Sequence, residues 1–141
     1  MQLKHFTLCA VSLAANAGVV HAQAEQFVQV NSLKQLPAAV QRELGVGTQS
    51  DPIADRGERF NAGCTVLDAT PQKRFLLGAV APDTVVVAIE LGGIVHQSTT
   101  IEWRRNGDAW VKFERKDALR FPKTMQELLQ HDATRALAAL A

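Results

Sequence analysis

Pairs of cysteine and histidine at ligand spacing are missing from this chain, and with them the usual signature of structural zinc. The two cysteines, Cys9 and Cys64, are far apart, and of the four histidines only His96 and His131 lie beyond residue 24. A helix that crosses a bilayer takes roughly 20 apolar residues, and no run here is that long; the valine-rich stretch Thr84–Leu91 ends at Glu90 and two glycines. Basic charge is not in excess, with 15 Lys+Arg against 14 Asp+Glu. That balance argues against nucleic acid or an anionic membrane surface as partner, since both reward a basic footprint. Gly92-Gly93 lacks the further glycines, the lysine and the following helix of a phosphate loop. Nothing matches a nucleophile elbow or a cysteine-protease signature. No cofactor and no metal are implied.

What is present begins with an address. Met1 to Ala24 has the layout of a secretory signal peptide. Lys4, helped by His5, marks the basic start, Phe6 to Ala15 is apolar but too short for a span, and Ala22-Gln23-Ala24 or Val20-His21-Ala22 supplies a small-x-small cleavage site. The expected product is a periplasmic or secreted chain from Glu25 to Ala141, a length typical of one globular domain. Loss of Lys4 leaves 14 basic residues against the same 14 acidic ones, so the mature charge is close to zero. Cys9 leaves with the signal and Cys64 has no partner, which in an oxidising compartment calls for burial, an intermolecular bridge or reactivity. Its alternation with Ala62 and Val66 predicts that it points into the core.

Two helices and five strands are legible in the mature segment. Phe27, Val28 and Val30 suggest an edge strand in the lead-in. Leu36, Val40 and Leu44 recur at helical spacing, Pro37 suits a first helical position and Gly45 a C-terminal stop. Ser32 to Gln35 looks like a capping box, but Pro37 would then fall inside the helix, so the start is placed at Pro37. Gly45 to Phe60 reads as a polar loop whose run Asp55-Arg56-Gly57-Glu58-Arg59 is solvated surface. Strands are expected at Ala62–Ala69, Arg74–Val80, Thr84–Leu91, Ile94–Arg104 and Ala109–Arg115, with turn residues at Thr70-Pro71, Ala81-Pro82-Asp83, Gly92-Gly93 and Asn106-Gly107. Breaks this short make neighbours antiparallel. A second helix opens with the capping box Thr124–Glu127 and carries an apolar stripe of Met125, Leu128, Leu129, Ala133, Ala136, Leu137 and Leu140. The fold class is therefore α+β: an antiparallel β-meander of about five strands with an N-terminal and a C-terminal helix packed on one face.

Register sharpens this into a candidate site. A bulged turn at Asn106-Gly107 pairs Trp103 with Val111, Ile101 with Phe113, Glu102 with Lys112 and Arg104 with Trp110. A bulged turn at Gly92-Gly93 sets His96 opposite Glu90 and joins Val85, Val87, Ile89 and Leu91 to Val95, Ile101 and Trp103. Burial favours both registers over the tight ones. They leave a polar sheet face bearing Glu90, His96, Glu102, Arg104, Trp110 and Lys112, with Trp110 as the aromatic anchor. The reading that follows is an exported, non-enzymatic binding or accessory protein whose open face meets another envelope protein or a small ligand. A homodimer through that face or through Cys64 is a further option. The alternative is a small periplasmic hydrolase or thiol-dependent enzyme that uses His96 and Glu90 as an acid–base pair, with Cys64 as nucleophile.

Overall fold

The computed structural model describes residues 26–65, 70–115 and 121–130. The expected signal segment, part of the expected first strand and the expected remainder of the second helix after Gln130 lie outside these residues. A sheet forms from β1 (Val28–Val30), β2 (Ile53–Ala54), β3 (Lys73–Val80), β4 (Thr84–Leu91), β5 (Gln97–Asn106) and β6 (Ala109–Arg115). Its order is β1-β3-β4-β5-β6, and β3 to β6 run as the antiparallel meander read from the sequence. The lead-in joins as β1, antiparallel to Gly78–Val80, while β2 lies parallel to Lys73-Arg74. The predicted strand at Ala62–Ala69 is not a strand where it is described; residues 63–65 are a bend.

The first helix, α1, covers Ala38–Leu44, with Pro37 as its N-cap and Gly45 as its left-handed C-cap at φ +90°. A side chain at Gly45 would be strained at that φ, and its Cβ would also fall 2.2 Å from the Asp51 carbonyl oxygen. The capping box at Ser32 is also real. It closes a separate 3₁₀ turn over Leu33–Gln35, so the two start signals belong to two consecutive elements and do not compete. The second helix, α2 (described over 125–130), starts at Thr124, whose hydroxyl accepts the Glu127 amide at 3.2 Å.

The helices do not share a face. Val40 and Leu44 of α1 pack with Leu33 and Leu36 against Phe75, Val85, Val87, Ile89, Ile101 and Trp103. Leu128 of α2 packs against Leu77, Ala79, Val86 and Ala88, which point to the other side. The cause lies in β4. All residues from Thr84 to Glu90 are buried, and a strand apolar on both sides requires cover on both. A bulge between Phe75 and Leu77 serves the same end. One extra residue shifts the alternation, so Phe75 enters the α1 core and Leu77 the α2 core.

Neither predicted hairpin register occurs. The β5–β6 turn is Gly107-Asp108, with Asn106 opposite Ala109, Arg105 opposite Trp110 and Trp103 opposite Lys112. Gly107 does take the positive φ expected of it, +61°. This pairing turns Trp110 towards the α1 core, where it is partly buried, and leaves Val111 and Phe113 at 40% and 48% exposure. Burying the larger aromatic wins. At the other hairpin Leu91 pairs with Gln97, leaving residues 92–96 as a loop. The slip is by two, so Val85, Val87 and Ile89 still share a face with Ile101 and Trp103.

Candidate functional site

Glu90 is the hub of the α2 side of the sheet. It lies near the end of β4, only 5% exposed, directly across from Arg74 on β3. One carboxylate oxygen, Oε2, accepts from both Nε and Nη2 of Arg74, at 2.9 and 2.6 Å. The other, Oε1, lies 2.6 Å from His96 Nε2. In this contact Nε2 is the donor and the carboxylate oxygen the acceptor. Aromatic rings enclose the group. The Arg74 guanidinium carbon lies 4.1 Å from the Phe60 ring centre. His96 lies between Phe60 and Phe121, with ring centres 6.3 and 5.1 Å away.

The loop that brings Phe60 into place is pinned to the 92–96 hairpin. The amide of Gly93 donates to the Ala62 carbonyl at 3.2 Å, and the amide of Asn61 to that of Pro71 at 2.7 Å. Gly92 must be glycine here, because a Cβ would fall 1.9 Å from the Asn61 carbonyl oxygen.

Beside Arg74 opens a cleft of about 550 Å³, lined by Arg56 and Gly57 from one loop, by Leu76 at the bulge, and by Phe121 and Lys123 ahead of α2. Its size suits a small molecule. One wall is anchored by Asp55, which accepts the Ser32 hydroxyl at 2.6 Å and the amides of Leu33 and Arg56 at 3.0 and 2.7 Å. Burial works against this carboxylate, but those hydrogen bonds and the charge of Lys34 outweigh it and hold its pKa below the ordinary 3.8. The unfolded chain therefore takes up this proton at a higher pH than the native protein does. Stability from Asp55 is complete above 3.8 and is lost as pH falls through the lower native value. Asp55→Asn is expected to flatten the acid limb of stability against pH, read by urea unfolding at pH values between about 2 and 5. An unchanged slope would remove Asp55 from the acid sensitivity of the fold.

The six residues read from the sequence as one face separate into three places. Glu90 and His96 meet, although His96 comes from the loop and not from a paired strand position. Glu102 and Arg104 form an ion pair of their own on β5, with Arg104 5.6 Å from the Phe113 ring centre. Trp110 and Lys112 sit on the α1 side, where Arg105 lies 5.9 Å from the Trp110 ring centre. Trp110 is therefore no anchor of a polar face. Arg56, Phe60, Arg74, Phe121 and Lys123 escaped the sequence reading. The only signal was a pair of aromatics, Phe60 and Phe121, in stretches assigned to no core.

Cys64 is exposed, contrary to its expected burial, because its segment is a bend and not a strand. Chemically, His96 with Glu90 has the form of an oriented base. Yet Glu90 also serves Arg74, and among the described residues its carboxylate is the sole hydrogen-bond partner of His96. Among the described residues no hydrogen bond joins His96 to a Ser, Thr or Cys side chain. Among the described residues no three of His, Cys, Asp and Glu gather as a metal shell, and no helix is long and apolar enough to cross a membrane. Compared with protein-family models, curated proteins and solved structures, the chain matches none.

Proposed function

We propose that this chain is an exported, non-enzymatic binding protein that takes a small ligand in the cleft between Arg56, Phe121 and Lys123. The single observation that carries the reading is that cleft: a ligand-sized hollow with an aromatic wall and several cations, beside a locked Glu90–Arg74–His96 group. A ligand site of this kind pairs an apolar lining with a few fixed polar groups. Export rests on Lys4, the apolar Phe6–Ala15 stretch and the Ala22-Gln23-Ala24 cleavage pattern. The cluster supports the reading by its rigidity. Both oxygens of Glu90 are committed, so the wall beneath the cleft is preorganised.

The test equilibrates the protein with a small-molecule extract, followed by native mass spectrometry of wild type and Phe121→Ala. Wild type should retain a ligand that the variant loses. Retention by both would place binding elsewhere, and turnover of the retained molecule would replace this reading with a hydrolase built on His96 and Glu90.

A further inference from the structure

Resting on that reading, we infer that the cleft recognises a small oxyanion, a carboxylate or phosphate carried on an aromatic or apolar body. Among the described residues the lining holds three cationic side chains, Arg56, Arg74 and Lys123, and no acidic one. They are not equivalent. Arg74 is balanced by Glu90 at 2.6 Å. Among the described residues, the Arg56 side chain donates only to a neutral acceptor, Asn31 Oδ1, at 2.5 Å, and the Lys123 ammonium makes no ion pair.

Carboxylates from the same stretches accept backbone amides and bond neither cation directly. Asp55 takes those of Leu33 and Arg56, Glu58 takes that of Asp55, and Glu127 takes that of Lys123 at 2.8 Å. Among the described residues, two cations on one hollow are thus in no direct ion pair. Local charge of one sign in a concave site draws a counter-ion, and the planar guanidinium fork of Arg56 matches carboxylate and phosphate geometry.

Two features describe the rest of the ligand. Phe121 is 37% exposed, which offers a ring face to an apolar or aromatic body. Gly57, at φ +81°, has nothing within 4 Å of where a Cβ would stand, so a head group can approach the backbone between Arg56 and Lys123.

The test is an amide NMR titration of the chain at low salt with four probes that share one ring: benzoate, phenyl phosphate, benzyl alcohol and benzylamine. Benzoate, phenyl phosphate or both should shift the amides of Arg56, Gly57 and Lys123 saturably, and the tighter of the two identifies the head group. Lys123→Ala, at an exposed position, should weaken that binding roughly tenfold and Lys123→Arg should keep it. Added salt should weaken it as well. Equal shifts from benzyl alcohol leave the cleft a binding site and sink the oxyanion inference. Shifts from none of the four sink this inference and the binding reading together.

Discussion

Trp103→Ala is expected to cost about 3–5 kcal/mol, a large share of the roughly 5–15 kcal/mol that holds a domain of this size. Trp103 is the largest fully buried side chain, at 0% exposure. It packs beside Val85 on the α1 side, and its indole Nε1 donates to Glu43 Oε2 at 2.7 Å. Alanine would remove the ring, open a cavity that a close-packed core only partly closes, and leave the Glu43 acceptor to water. Two comparisons isolate these contributions. Glu43→Ala keeps the ring but leaves its buried N–H without this acceptor and should cost about 1–3 kcal/mol. Phe113→Ala, on a ring 48% exposed, should cost clearly less than Trp103→Ala. Urea unfolding of the three variants reads the order directly. If Phe113→Ala proves the more damaging, the β5–β6 register described above is wrong.

Glu90→Ala is expected to destabilise by about 2–3 kcal/mol. Removing one partner from a buried ion pair costs roughly 3–5 kcal/mol. The lower figure applies because the Arg74 and His96 side chains are 29% and 47% exposed and water relieves them in part. The fall in melting temperature should be on the order of 10–20 °C. Loss of a contact and stranding of a charge make opposite forecasts for the pair. If a stranded Arg74 is the cause, Glu90→Leu combined with Arg74→Met should recover most of the loss, since well-packed apolar replacements of a buried pair are often neutral. The double-mutant cycle measures this as a coupling of about 1–2 kcal/mol. Additive losses would mean that Glu90 acts alone, and the cluster would no longer explain how Phe60, His96 and Phe121 are held.

Strand positions were the most legible part of the fold. Thr84–Leu91 and Ala109–Arg115 agree to the residue, because turn chemistry at Ala81-Pro82-Asp83 and Asn106-Gly107 brackets them tightly. The Gly45 and Thr124 caps were equally readable, since each acts within one turn of its own sequence, whereas the Ser32 box, expected to yield to Pro37, in fact closes a turn of its own. Cross-strand register was not. The Glu90–His96 contact came through only because His96 reaches back from the loop that follows β4. Trp110 illustrates the opposite outcome. A shift of one residue in pairing moves it between faces, and local pattern alone did not settle which of Trp110 and Phe113 would be buried.

The amphipathic α1 and the turn residues between strands were determined by the sequence alone, because each depends on interactions among near neighbours. The apolar run Val85-Val86-Val87-Ala88-Ile89 was written there too, yet both helices were expected on one face, and cover on both is seen only in the structure. Which helix covers which face was decided only in three dimensions, by the bulge that sends Phe75 and Leu77 to opposite cores. The cleft belongs wholly to tertiary structure. Arg56, Arg74 and Lys123 come from three separate stretches of chain, and among the described residues only Arg74 of the three is in an ion pair.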